Sequence, residues 1–422
     1  MEKFLIKGPS KIKGEVKISG SKNSSLPILC ASILFDKRVE IKNLPKVRDI
    51  ETLLEILSKS LGFAVRRNRQ KNSVVISKTK NINTFCSYKL VSTMRASINL
   101  LGPLISKYKK ATLSLPGGCL IGARPVNYHL SALKKLGMKY KIKKGYIHAH
   151  VEKNLVGTTI KFPKISVGAS ANTIIAACFA KGKTILKNCA IEPEIKYDLT
   201  NFLKKAGAKI KWIGKRTVRI YGVKSLKSIS YSVMGDRIEC GTFCVAATIS
   251  NGNLKIKGLN PNIINTELNY LKKAGAKIKK SKNEIHIKGP KKVKFIKFLQ
   301  TKEYDGFPTD LQAQFMALLC KANGQSIISE NIFENRFMHV AELRRLGAKI
   351  SIRGNKAIIE GNTNFEGAEL MSSDLRASVA LVIAASVANG KSIINRIYHL
   401  DRGYENLEMK LKKVGAKIRR IN

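Results

Sequence analysis

The sequence predicts an α/β protein of two domains built from six similar units, three to a domain. Three observations lead there. The 422 residues exceed the roughly 250 to 300 that one hydrophobic core serves, so two domains of about 200 are expected. A phrase reading helix end, glycine, strand recurs along the whole chain, and upstream of each copy stands a helix that is apolar almost all round.

The recurring phrase is LKKLGMKYKI at Leu133, LKKAGAKIKW at Leu203, LKKAGAKIKK at Leu271, LRRLGAKISI at Leu343 and LKKVGAKIRR at Leu411, with a weaker copy, LSKSLGFAVRR, at Leu57. Its marker glycines, Gly62, Gly137, Gly207, Gly275, Gly347 and Gly415, lie about 70 residues apart. Each copy reads as the end of an amphipathic helix, a glycine stop and an alternating strand such as Ala208-Lys209-Ile210-Lys211-Trp212. The apolar helices begin near Lys22, Met94, Val167, Gly235, Pro308 and Ser373, and their composition places them inside their domains. Several are expected to end in a glycine cap, at Gly182, Gly252, Gly324 and Gly390.

Composition narrows the function. An apolar fraction of 44% suits a globular protein, and no apolar run approaches the 18 or so residues that cross a bilayer. The opening stretch, Met1 to Gly8, reads as a short alternating strand and not as a signal peptide. Eight scattered cysteines form no disulfide framework, and Cys240 with Cys244 supplies at most two of the four ligands of a usual zinc site, so no metal is expected. A reducing cytoplasm fits this usage. The formal charge of +50 is spread over every segment without a basic arm or a stacked-aromatic motif, so it reads as a solvated lysine-rich surface and not as a specific nucleic-acid site.

One loop carries candidate chemistry. Pro116-Gly117-Gly118-Cys119, followed by Arg124 and His129, sets a thiol among cations that favour its thiolate, in a segment whose glycines permit movement. A buried packing cysteine is the competing reading. The apolar helices offer a second candidate. Were they parallel within each domain, their N-termini would emerge together and present amides and partial positive charge to an anion. Lys22, Arg95, Asp236, Asp310, Asp374 and Arg376 stand at these starts. For each aspartate, plain helix capping is the alternative.

Gly20-Ser21-Lys22-Asn23, Met94-Arg95-Ala96-Ser97, the Cys119 loop through Val126, Asp236-Arg237-Ile238-Glu239, Phe307 to Phe315, Phe333-Glu334-Asn335-Arg336-Phe337, Asp374-Leu375-Arg376-Ala377-Ser378 and Arg396 to Glu405 together resemble the UDP-N-acetylglucosamine enolpyruvyltransferase family of the EPSP synthase superfamily. The likeness runs end to end in the same order. It implies a two-domain inside-out α/β barrel, with residues 22–234 as the N-terminal domain, residues 1–21 and 235–422 as the C-terminal one, and the active site in the interdomain cleft. It also implies transfer of the enolpyruvyl group of phosphoenolpyruvate to the 3-hydroxyl of UDP-N-acetylglucosamine with release of phosphate, early in peptidoglycan synthesis. No cofactor is implied, and the oligomeric state is left open.

By the same resemblance Cys119 protonates the methylene carbon of phosphoenolpyruvate, forms a covalent adduct with it and reacts with epoxides such as fosfomycin, while Asp310 takes the hydroxyl proton. Lys22, Arg124 and Arg402 contact phosphate and carboxylate, with Asn23, Arg336, Asp374 and Arg376 nearby. The nucleotide sugar is expected at Asn23, Arg95, Arg124, Pro125, Val126, Asn127, Tyr128, Lys164, Ile165, Ser166, Val167, Gly168, Asp310 and Ile332. His129 is expected to organise the loop. Arg336 and Arg376 could instead be structural ion-pair residues. Asn127 stands where many members carry aspartate, which removes a charge and keeps an acceptor. Three rivals remain: the enzyme acting on shikimate 3-phosphate, a nucleic-acid binder using the basic surface, and a paralogue that binds without turnover.

Overall fold

The computed structural model describes residues 2–117 and 126–422. The chain divides into two compact units: one begins at Gly20 and ends at Met234, and the other joins the opening residues, up to Ser19, to Gly235–Asn422. Each unit holds three four-stranded sheets, and all six share one topology: a parallel edge pair followed by two antiparallel pairings. In the unit ending at Met234 the last strand, Ser230–Ser232, returns to pair with Val39–Lys42 and completes the first sheet. In the other unit two opening strands complete sheets, Lys3–Gly8 between Gly390–Asn395 and Lys417–Ile421, and Lys13–Lys17 beside Asn253–Lys257. The sequence suggested a single strand there.

All six marker glycines take positive φ, between 81° and 106°. In five copies the glycine follows the helix end in a Schellman arrangement, as where Met138 N–H donates to Leu133 (3.1 Å) and Gly137 N–H to Lys134 (2.9 Å). The same pair of bonds recurs at Leu203, Leu271, Leu343 and Leu411. The weaker first copy has one residue more between leucine and glycine. Its helix absorbs it by widening into a π-turn at Ile56–Ser60, so that Phe63 N–H still reaches Leu57 (2.9 Å) while Gly62 N–H reaches Ser58 (3.1 Å), four residues back.

The apolar helices lie where their composition put them. Arg237–Ile249, Gln312–Cys320 and Leu375–Ser386 are buried along their whole length. Lys22–Ala31, Leu101–Tyr108 and Val167–Ala177 are buried except near their ends. A helix with no wet face must satisfy its hydroxyls internally, and Thr173, Thr242 and Thr248 each donate to the carbonyl four residues back at 2.8 Å. The expected glycine caps are corrected. The residues ending these helices are Cys178, Ser250, Lys321 and Val387, and Gly182, Gly252, Gly324 and Gly390 stand beyond them in the turn to the next strand. Gly182 and Gly390 have positive φ there, and before Gly252 it is Asn251 that takes the left-handed position, so in these three cases the left-handed residue belongs to the turn and not to the cap.

Strand alternation holds where a sheet covers a core, as at Lys209–Gly214. It fails at Lys139–Lys143, every residue of which is exposed, Ile142 among them. That strand is the edge of its sheet, and its lysines discourage pairing with another chain.

Candidate active site

In the unit that ends the chain, three helix starts converge. Asp236 and Asp374 cap their helices: Asp236 Oδ1 accepts from Ile238 (2.9 Å) and Glu239 (3.0 Å), and Asp374 Oδ1 accepts from Arg376 (2.9 Å) and Ala377 (3.1 Å). Asp310 does not cap. It lies inside the turn Thr309–Leu311 and receives two guanidinium groups, Arg336 on Oδ1 and Arg376 on Oδ2, each at 3.0 Å. Capping therefore accounts for two of the three aspartates and leaves the third for another use.

Arg336 and Arg376 do form ion pairs, and their partner is the candidate base itself. Both side chains are 5% exposed, whereas that of Asp310 is 28% exposed, so the buried cations present a carboxylate to solvent. Arg237 makes the contrast: it pairs with Glu267 at 3.3 Å with both partners buried, and it is structural. A carboxylate offers about four lone-pair sites, of which these two bonds take two. Burial opposes the charge on Arg376, but Asp310, Tyr404 and Asp236 outweigh it, and the guanidinium is held firmly protonated.

The turn bearing Asp310 is fixed from below. Gln314 donates to the Asp310 carbonyl (3.0 Å) and to the hydroxyls of Thr242 (3.3 Å) and Tyr404 (3.4 Å), which bond each other at 2.9 Å. Arg376 stacks over the Tyr404 ring at 5.4 Å. At Gly241 a side-chain carbon would come within 2.4 Å of Leu311, so glycine is what lets the helix Arg237–Ile249 approach this turn. Ile332 is half-buried, and its amide donates to the buried Glu330. Asp374 faces two histidines. Burial and Arg336 lower His339 to about 4 against the pull of Asp374, and burial, Arg402 and Arg396 lower His399 against the same carboxylate. Arg402, half-buried at the end of Tyr398–Asp401, thus belongs to this neighbourhood.

The unit that ends at Met234 gathers a different set. Lys22 opens the helix Lys22–Ala31 behind its cap Ser21, whose hydroxyl accepts from Ser24 (3.2 Å); its ammonium lies 3.6 Å from Asp49, with both side chains largely buried. Asn23 beside it is half-buried. Arg95 opens the turn Arg95–Leu100. Ser166 caps Val167–Ala177 by accepting from Ala169 (3.3 Å), and around this start Lys164 and Val167 are exposed while Ile165, Ser166 and Gly168 are half-buried. Val126, Asn127 and Tyr128 lie at the start of Asn127–Lys135, with Asn127 exposed.

His129 ties two of these starts together. Asn172 accepts from Gly102 (2.8 Å) and donates to Ile98 (3.1 Å), so its amide also donates to His129 Nδ1 (3.1 Å) and puts the imidazole proton on Nε2. That atom lies 3.1 Å from where a side chain on Gly168 would begin, so a larger residue there would have to push the ring aside by a few tenths of an ångström. Burial, with Arg95 adding to it, pushes His129 down to about 3, so the ring is neutral. The loop that His129 is expected to organise lies outside the described residues; among those described, its ring lies against the helix start at Gly168.

Cys119, Arg124 and Pro125 lie outside the described residues. The seven described cysteines are all buried and unpaired, and burial pushes the thiols of Cys30, Cys86, Cys178, Cys189 and Cys320 up, which makes them poor nucleophiles. Cys240 and Cys244, both free thiols, share a hydrogen bond inside their helix. No helix among the described residues is long and apolar enough to cross a membrane. Sequence reasoning missed Asp49, Glu330, Gln314, Tyr404 and His339, because each has partners distant in the chain as well as any local ones.

The family model described as EPSP synthase (3-phosphoshikimate 1-carboxyvinyltransferase) matches residues 6–411. Proteins named UDP-N-acetylglucosamine 1-carboxyvinyltransferase are similar over the full length of both chains: that of Pelagibacter ubique is 63% identical, and those of Geotalea uraniireducens and Rickettsia bellii are 48% identical. Among solved structures, the enolpyruvyl transferase NikO from Streptomyces tendae superposes with a TM-score of 0.90 at 23% identity, covering 99% of this chain and 98% of that one. An EPSP synthase from Acinetobacter baumannii superposes at 0.78 and 18% identity, covering 100% of both. These two likenesses speak to the fold, six mixed sheets with their buried helices.

Proposed function

The chain belongs to the EPSP synthase family, and from that membership we propose that it is a UDP-N-acetylglucosamine 1-carboxyvinyltransferase, acting in the cytoplasm at the entry to peptidoglycan synthesis. It transfers the enolpyruvyl group of phosphoenolpyruvate to the sugar 3-hydroxyl and releases phosphate. The observation that carries this is the 63% identity, across every residue of both chains, to a relative bearing that name. The unpaired described cysteines agree with a reducing compartment.

The reaction is an addition followed by an elimination. Asp310 accepts the proton of the 3-hydroxyl as the sugar oxygen bonds to C2 of phosphoenolpyruvate, and Cys119 delivers a proton to C3. Loss of a C3 proton then restores the double bond as the C2–O bond to phosphate breaks. A positioned base of this kind typically contributes about 10² to 10⁴ in rate. Lys22, Arg124 and Arg402 hold the phosphate and carboxylate of phosphoenolpyruvate, with Asn23 close by. Arg336 and Arg376 orient Asp310, and Asp374 holds the helix start from which Arg376 reaches it. The nucleotide sugar lies along Arg95, Arg124 to Tyr128, Lys164 to Gly168 and Ile332, its diphosphate toward the amides that open Val167–Ala177.

The test is phosphate release from phosphoenolpyruvate with UDP-N-acetylglucosamine or shikimate 3-phosphate as acceptor. Release with the nucleotide sugar alone is expected. Release with shikimate 3-phosphate alone, or with neither, overturns the reading.

A further inference from the structure

We propose that Glu330 is a positioning residue that fixes the catalytic turn at Asp310 and the loop carrying Ile332 relative to each other; this rests on the roles given above to Asp310 and Ile332. Glu330 is 3% exposed, and its two oxygens serve different segments. Oε1 accepts from the amides of Ile332 (2.9 Å) and Phe333 (3.2 Å) and from the Thr301 hydroxyl (2.9 Å). Oε2 accepts from the hydroxyl of Thr309 (2.9 Å), the residue before Asp310. Thr301 extends the tie by accepting from the Asn331 amide at 2.9 Å. The loop held in this way runs on to Arg336, which closes on Asp310 from the other side.

Burying a carboxylate is costly unless it is paired or fully hydrogen-bonded. Among the described residues no lysine or arginine lies within ion-pair distance of Glu330, so its four donors carry the whole compensation. An apolar residue would fill the space at less cost. What it could not do is join a backbone segment on one side to a hydroxyl on the other. Reaction geometry is sensitive to displacements of about 1 Å, so such a tie matters to turnover before it matters to folding.

Three variants separate the arms of this tie. Thr309→Val removes only the arm beside Asp310, and Glu330→Ala removes both. Glu330→Gln can keep its carbonyl toward the two amides and donate its NH2 to Thr309, whose hydroxyl oxygen accepts. Hydrogen bonds to charged groups are worth about 1.5 to 3 kcal/mol, so Thr309→Val is expected to lower kcat roughly ten- to a hundredfold with the KM for UDP-N-acetylglucosamine unchanged. Glu330→Ala should lower kcat comparably and also raise that KM, and Glu330→Gln should restore most of both. Wild-type kcat in Thr309→Val, or a loss in Glu330→Ala that follows only the folded fraction in a thermal melt, overturns the proposal; should Glu330→Ala fail to fold, the other two variants decide. Asp310→Asn is the control. If it turns over at the wild-type rate, the assigned base is wrong; if it is inactive while Thr309→Val is unimpaired, only the role of Glu330 falls.

Discussion

The two units are built from one repeat and arm their helix starts in opposite ways. In the unit ending at Met234, Ser21 and Ser166 cap by hydroxyl, and no first turn of the three buried helices or of the turn Arg95–Leu100 holds an acidic residue. In the unit ending the chain, Asp236 and Asp374 cap by carboxylate, Glu239 joins the first turn of one helix, and Asp310 lies in the third start. A helix N-terminus carries roughly half a positive charge. Serine leaves that charge for a ligand; aspartate neutralises it. The helix start behind Ser166 is thus suited to bind the diphosphate and the turn at Asp310 to take the hydroxyl proton, with Arg336 and Arg376 supplying cations in contact with its carboxylate.

The largest effect expected from breaking this contrast is at Asp310. Asp310→Asn keeps the size and an acceptor but loses the base, and kcat should fall by about 10² to 10⁴ with little change in KM for the nucleotide sugar. Steady-state phosphate release measures both. An equal loss in KM and kcat would make Asp310 a binding group and remove the division of labour.

A smaller effect follows from transplanting one unit's cap into the other. Aspartate caps as well as serine, so Ser166→Asp should fold normally. Its charge would oppose the diphosphate at the amides of Val167–Ala177, and the KM for UDP-N-acetylglucosamine should rise roughly five- to thirtyfold, about 1 to 2 kcal/mol. An unchanged KM in the folded variant would place the diphosphate elsewhere.

Much of this was legible beforehand, and the reasons are local. The marker glycines announce a left-handed position at a helix end, and apolar helices announce their burial, because both signals lie within a few neighbouring residues. Only the family resemblance singled out Asp310; local sequence pattern could not tell which aspartate escapes capping. Asp236, Asp310 and Asp374 look alike in sequence, and Arg336, 26 residues from Asp310, and Arg376, 66 residues from it, decide the matter. Pairing of Glu330 with Thr309 and of Lys22 with Asp49 is likewise a product of the tertiary fold. The glycines beyond the buried helices misled because a glycine near a helix end signals either a cap or the turn that follows.

The smallest effect concerns a feature both units share, a buried neutral histidine. His129 is lowered to about 3 and His339 to about 4, against 6.5 in an unfolded chain. Below pH 6.5 the unfolded state takes up protons that the folded state refuses, so stability falls as pH falls toward about 4. Each ring contributes at most about 1.4 kcal/mol per pH unit. Asp198 and Glu239, raised chiefly by burial, act in the opposite sense, so the contribution is isolated by substitution. Urea denaturation at pH 7 and pH 5 should show a shallower acid loss in His339→Gln than in the wild type; identical slopes would mean that the ring charges in the folded state.

The central claim, that the helix start behind Ser166 holds the diphosphate while Asp310 takes the proton of the sugar hydroxyl, is tested most directly by calorimetry of UDP-N-acetylglucosamine binding to Ser166→Asp and Asp310→Asn without phosphoenolpyruvate. The account predicts weakened binding in Ser166→Asp and nearly unchanged binding in Asp310→Asn. Strong binding by Ser166→Asp together with lost binding in Asp310→Asn would contradict it.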